Sequence, residues 1–393
     1  MKRSTDRILT THVGSLVRTP EIMRGIKARM LNQPYDADQF AADVRRGVAE
    51  VVRKQVEVGI DIPNDGELGR QGFSVYANQR LAGLEPRELG PDESVWNYTE
   101  GSDRTTFADF FKQYDSHFRY LWMLPEVDIS DVPNRPGNHE RFRVVAPVSY
   151  KGQAAVKEDI DNLKSASRGL PVADVFMTAT PPTGRREDAD VEKFYPNTEA
   201  YMYAVADALH EEYQAITDAG FILQLDLAAT SGRNPTSIEQ RVEVLNYALR
   251  DIPEEQVRYH HCWGSMNHPH TTDVPLKDIV HEMLKIKAQA YSIEAANPRH
   301  EHEWMVWRDV KLPDGKVLIP GIISHQTNVV EHPELVAWRI KNYASVVGKE
   351  NVIAGADCGF SQHWDAIRVH PTVQWAKLQA LAEGAALASK DVW

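Results

Sequence analysis

The chain has 393 residues, 42% of them apolar and 25% charged, the balance of a globular protein with room for one large α/β barrel or two ordinary domains. Its net charge of −12 argues against a nucleic-acid partner, because neutralising phosphates needs a basic surface. No apolar h-region follows the charged start, and no apolar run approaches the ~18 residues of a membrane span, so a cytoplasmic protein is expected. Its two cysteines do not make a disulfide framework.

In chain order, the first strand candidate is Leu9 to Val13, followed by a helix whose apolar residues Phe40, Val44, Val48, Val52 and Val56 recur every fourth position. Gly59 can cap that helix, and Ile60-Asp61-Ile62-Pro63 leads into Asp65-Gly66-Glu67. Residues 85–141 break the pattern, rich in aromatics, acids and proline, and read as an insertion covering the active rim. Phe142 to Val148 is one strand too many for a barrel and is assigned to a side hairpin. Val175 to Ala179 is a further strand, and the proline-bracketed, charged stretch 181–196 is a surface loop. The helix–glycine–strand unit then recurs, with a helix from Glu199 to Asp218, Gly220, and a strand ending at Asp226. Strands at Val257 to His261, Gln289 to Ile293 and Val317 to Ile323 follow. A last unit runs through Glu334 to Val347, Gly348 and the strand leading to Cys358. Helices alternating with strands imply a parallel sheet, and the count predicts a (β/α)8 TIM barrel with insertions over its C-terminal rim. The whole of 1–393 reads as a single catalytic barrel domain.

Both cysteines fall at predicted strand ends, where barrel enzymes keep their chemistry. Residues two apart on a strand point the same way, so His260 and Cys262 can reach one ion while His261 faces the opposite side. With Glu294 and Cys358 they complete a four-coordinate set suited to Zn2+. Taken alone, Cys262 is only a small buried hydrophobe; the convergence of four ligand types at strand ends turns the argument towards metal. His268, His270, His300 and His302 lie in polar loops and are read as hydrogen-bond networks or pocket walls. Zinc with two thiolates, one carboxylate and a neutral imidazole carries a net charge of about −1, which suits holding a substrate thiol in its ionised form. Glu294 is the ligand expected to loosen and admit that thiol.

These residues resemble a known family. Thr11-His12-Val13-Gly14-Ser15, Asp65-Gly66-Glu67, Gln224-Leu225-Asp226, His260-His261-Cys262, Ser292-Ile293-Glu294 and Asp357-Cys358-Gly359 together are similar to the C-terminal catalytic half of cobalamin-independent methionine synthase and to the shorter epoxyalkane:coenzyme M transferases. The resemblance runs from Thr10 to about Gln362. It implies a zinc-dependent thiol alkyltransferase with His260, Cys262, Glu294 and Cys358 as ligands, and with Ser15, Glu67 and Asp226 holding an amino-acid thiol. Read without the resemblance, Gly14-Ser15 is a turn and the two acids are helix caps.

There are departures. No counterpart of the synthase's additional N-terminal barrel is expected, and Asp226 is followed by Leu227-Ala228-Ala229 rather than Glu-Pro. The family's acid histidine aligns with Gln326, one residue from His325, which is the candidate proton donor here. The partners expected are a small thiol, homocysteine or coenzyme M among them, and an alkyl donor such as a methyl-folate, a methyl-corrinoid or an epoxide. Two rival readings are a metal-free lyase resembling uroporphyrinogen decarboxylase and a zinc that only braces the barrel rim.

Overall fold

The computed structural model describes residues 1–73, 75–87, 102–117, 126–128, 141–182, 188–228, 238–264 and 267–393. Seven parallel strands lie in the order β1, β9, β8, β7, β6, β5, β4. They are β1 (Leu9–Thr10), β4 (Phe176–Ala179), β5 (Ile222–Ala228), β6 (Val257–Cys262), β7 (Ala290–Ile293), β8 (Val317–Ile323) and β9 (Ile353–Ala356). Between β1 and β4 runs the short segment 60–63. Thr11 bridges Ile62 in parallel, and the Phe176 and Ala173 amides donate to Pro63 and Asp61 carbonyls at 3.1 and 2.8 Å. The segment thus stands as the eighth stretch and closes the sheet into a barrel. The surplus strand candidate is accounted for: β2 (Leu81–Arg87) and β3 (Arg141–Tyr150) form a separate antiparallel hairpin.

The helices form where the apolar period demanded. Helix Ala37–Glu57 starts from Asp36, whose carboxylate accepts the Gln39 amide at 2.9 Å, and buries Val44, Val48, Val51 and Val52. Gly59 at its end sits at φ +92°, which L side chains rarely adopt, and Gly220 and Gly348 repeat this after helices Thr198–Asp218 and Pro333–Val347.

Inside the barrel the layers differ in character. Leu9, Ile62, Phe176, Ile222, Ala290, Val317, Ile319 and Ile353, mostly from strand beginnings, pack into an apolar plug at the N-terminal end. Towards the C-terminal ends the inward residues turn polar, and the register aligns Asp226 with His260 and His260 with Ser292. A barrel of this kind presents chemistry at one end only. Of the predicted insertion, 88–101, 118–125 and 129–140 lie outside the described residues, as do 183–187 of the predicted surface loop. The described part of the insertion supplies helices Asp103–Thr106 and Ala108–His117. Asp103 accepts the Thr271 amide at 2.8 Å and also its hydroxyl, which fastens the insertion to the loop beyond β6. No described helix is long and apolar enough to cross a membrane.

Candidate metal centre

His260 and Cys262 occupy alternate positions of β6, and Cys358 lies just past β9. Their ligand atoms come within 4.8 Å of one another. The two sulfurs are 3.5 Å apart, and all three residues are buried. The spacing is that of groups sharing one ion rather than of a disulfide, whose sulfurs stand about 2.05 Å apart. His260 Nδ1 lies 3.0 Å from Ser292 Oγ, whereas Nε2 is buried with no hydrogen-bond partner among the described residues. An orphaned ring nitrogen beside two thiols is the arrangement a metal would satisfy, with Ser292 fixing the ring from behind. Burial first, then the charges of Arg258 and His325, lowers the His260 pKa to about 3, so the ring is neutral as ligation requires. The residues present fit a divalent metal that favours nitrogen and sulfur.

Glu294 stands one step back from this trio. Its carboxyl hydrogen-bonds with Cys262 and its pKa is pushed well above the carboxylate range, by burial foremost and then by Cys262 and Asp357. Oε1 accepts the Trp263 amide at 3.0 Å, and Oε2 accepts Asn297 Nδ2 at 2.9 Å. Asn297 also reaches Asp357 Oδ2 at 3.3 Å, while Asp357 Oδ1 accepts the Ala295 and Ala296 amides, both at 2.7 Å. The structure therefore gathers three of the four predicted ligands tightly and holds the fourth against polar donors beside Cys262.

His261 faces away, as its parity requires, with Nδ1 3.0 Å from the Tyr259 hydroxyl and its ring edge-on to Trp263. His300 belongs to a carboxylate network: Nδ1 lies 2.8 Å from Glu303, Nε2 lies 3.2 Å from Asp273, and the ring stacks on Trp263 at 4.1 Å. His270 joins Asp273 at 2.9 Å, and His268 stacks on His270 at 3.7 Å and meets Phe111 of the insertion at 5.9 Å. These histidines form a wall beside the rim.

Of the predicted substrate residues, Asp226 lies in register with His260 on the neighbouring strand. Glu67 and Asp226 are buried and close enough that the charge of Glu67 raises the pKa of Asp226, after burial itself. Glu67 Oε1 accepts Thr178 Oγ1 at 2.9 Å, and Oε2 has no partner among the described residues. Asp226 Oδ1 accepts Gln224 Nε2 at 2.5 Å. Ser15 is buried against Gly359, where a Cβ would collide with its hydroxyl. Gly14 before it has φ +146°, and a Cβ there would lie 2.6 Å from Glu67 Oε1. The Gly-Ser motif thus lets backbone pass close to the acid. His325 is fully buried beyond β8 and near enough to His260 to depress its pKa, whereas Gln326 is half-buried.

Other contributors were not foreseen. Arg258 lies within the barrel, and Arg70 reaches the Glu67 side of the pocket. Buried Arg368, whose Nε donates to Gln362 Oε1 at 3.0 Å, interacts electrostatically with both Cys358 and Cys262. An arginine inside the otherwise apolar opening of β6 was the available signal for Arg258; Arg70 and Arg368 sit in loops that give none.

An imidazole and two thiols thus gather at the C-terminal rim of a parallel barrel, a donor set that one metal ion could share. Residues 186–377 match the family model described as the catalytic domain of cobalamin-independent synthase, the family that the motifs resemble. The chain is 23% identical over 354 residues to the methionine synthase of Pyrococcus furiosus, spanning 89% of this chain and 85% of that one. It is 21% identical over 369 residues to the 5-methyltetrahydropteroyltriglutamate–homocysteine methyltransferase of Thermosynechococcus vestitus, covering 91% of this chain but 41% of that longer protein. The solved B12-independent methionine synthase from Shewanella sp. W3-18-1, in complex with selenomethionine, superposes with a TM-score of 0.65 at 18% identity, covering 98% of each chain. That likeness supports the barrel fold.

Proposed function

We propose that this protein transfers a methyl or larger alkyl group to the sulfur of a small thiol, with zinc held by His260, Cys262 and Cys358 and with Glu294 as an exchangeable fourth ligand. The observation that carries this reading is the convergence of one neutral imidazole and two thiols within 4.8 Å at the barrel rim. Zinc bound by thiolates keeps an incoming thiol ionised and nucleophilic at neutral pH. The chain's own groups do the rest. Asn297 and the Trp263 amide already hold both oxygens of Glu294, so the carboxylate has a resting place outside the trio when a substrate sulfur needs room. Glu67 and Asp226 set two buried acids within the same barrel interior, suited to the ammonium of an amino-acid thiol such as homocysteine. Ser15 takes the other polar end of that acceptor. In this reading His325, buried and close enough to His260 to depress its pKa, gives a proton to the departing group. The insertion, pinned over the rim through Asp103 and Thr271, provides the cover under which a donor is seated. The relatives named methionine synthase favour a methyl donor and homocysteine over a coenzyme-M-like acceptor, whose sulfonate two carboxylates would repel.

The test is direct. Zinc-loaded protein is incubated with a panel of thiols and methyl or epoxide donors, and alkylated thiol is sought by mass spectrometry while zinc K-edge spectra follow the ligand set. The expected outcome is replacement of an oxygen ligand by sulfur when the acceptor is added. Unchanged zinc coordination with every thiol would assign the metal a bracing role, and failure to hold zinc would refute the reading.

A further inference from the structure

Each acid of the pair is joined to a buried arginine through one neutral side chain. On one side Arg258 Nε donates to Gln224 Oε1 at 2.5 Å, and Gln224 Nε2 donates to Asp226 Oδ1 at 2.5 Å. On the other, Arg70 Nη1 donates to Thr178 Oγ1 at 2.9 Å, and that hydroxyl donates to Glu67 Oε1 at 2.9 Å. Neither guanidinium touches its acid among the described residues. Arg258 is held by Thr11 Oγ1 at 3.0 Å and by the His12 carbonyl, with its guanidinium 3.7 Å from the centre of the Phe176 ring. Arg70 also donates to the Thr178 carbonyl at 2.8 Å and lies 4.2 Å over the Tyr76 ring. Its contact with Asp159 is long, at 3.8 Å.

The geometry has a clear electrostatic sense. A guanidinium directly on each carboxylate would engage both oxygens in a bidentate pair and leave less acceptor capacity for a ligand. With an amide or a hydroxyl interposed, the positive charge still opposes the upward push that burial gives each acid's pKa, while one oxygen remains available. Glu67 Oε2 is such an oxygen, buried and unpartnered among the described residues. Buried carboxylates without compensation would take up protons and lose their hold on a cation.

We propose that Thr178 and Gln224 are positioning residues, each tying a buried arginine to one acid so that Glu67 and Asp226 together select a thiol bearing an ammonium group. This rests on the reading of the site as a thiol-binding centre.

The experiment compares homocysteine with 4-mercaptobutyrate, the same skeleton without the amine, by calorimetric titration of the zinc-loaded full chain. Wild-type protein is expected to bind homocysteine more tightly. Gln224→Leu and Thr178→Val should each weaken homocysteine by roughly tenfold or more, the loss of one hydrogen bond to a charged group. Binding of 4-mercaptobutyrate and zinc content should stay as in wild type, and Thr178→Ser should recover the homocysteine affinity. Gln224→Glu, nearly equal in volume, serves if the leucine variant does not fold: it removes the amide donor and should weaken homocysteine alone. Equal losses for both thiols, or no loss for homocysteine, overturn the proposal. Wild-type protein that binds neither thiol refutes the thiol reading itself before any variant is made, and the selectivity claim falls with it.

Discussion

Replacing Ser292 by alanine should weaken zinc binding by about tenfold to a hundredfold without unfolding the barrel. Ser292 is fully buried on β7, in register with His260 on β6, and its hydroxyl lies 3.0 Å from His260 Nδ1. When Nδ1–H donates to that hydroxyl, the lone pair is left on Nε2 and the ring plane is fixed towards the cysteines. The substitution removes one oxygen and opens almost no cavity, so the apolar contribution to stability barely changes. What is lost is the partner of a buried ring nitrogen, about 1–3 kcal/mol, together with the tautomer preference. Removing such outer partners of metal-bound histidines commonly costs 10–100-fold in affinity, about 1.4–2.7 kcal/mol. Competition against a chromophoric chelator measures the affinity, and thermal unfolding of the metal-free protein checks the fold. An affinity within about twofold of wild type, in a folded variant, would refute the assignment of His260 Nε2 as a ligand.

Cys262→Ser and Cys358→Ser should each abolish stoichiometric zinc while retaining native circular dichroism, because the large apolar core does not pass through the site; collapse of both variants would make the metal structural. His12, buried with Nε2 2.7 Å from Gln55 and Nδ1 accepting the Gly14 amide at 3.2 Å, has its pKa lowered to about 4, chiefly by burial. Its unfolded value is near 6.5, so its contribution to stability is full above that pH and is lost as pH falls towards 4, at up to ~1.4 kcal/mol per unit. Urea midpoints of the metal-free protein from pH 7.5 to 4.5 check this, and a flat profile would contradict it. Gly14→Ala should cost about 1–3 kcal/mol and weaken homocysteine binding, since its Cβ would press on Glu67 Oε1 at 2.6 Å and Thr178 Cγ2 at 2.7 Å; unchanged urea midpoint and affinity would show that the turn relaxes.

What could be read from the sequence was whatever depends on short spacings. The four-residue recurrence from Phe40 to Val56, the glycine after each of three helices, and the two-residue parity of His260 and Cys262 all concern neighbours along the chain, and each has its counterpart in the structure. The surplus strand resolved into the β2–β3 hairpin as expected. Partnerships set by closure of the barrel were out of reach. Thr178 meets Glu67 across 111 residues, and Arg70 meets Thr178 across 108. No local pattern marks a threonine in an apolar strand as the partner of a distant acid. Glu294 shows the same limit at finer scale: its residue type and strand-end position suggested a ligand, but its orientation depends on Asn297 and the Trp263 amide, which only the folded loops bring to it.

The apolar plug at the N-terminal end of the barrel bears on the order of events. Phe176, Ile222, Ile319 and their neighbours close the base of the barrel, so on the reading proposed above both reactants enter from the C-terminal rim. On that reading an acceptor held at Asp226 enters before a donor seated over the rim and departs after it. Steady-state kinetics should therefore follow a compulsory sequence, with the deeper guest entering first and leaving last.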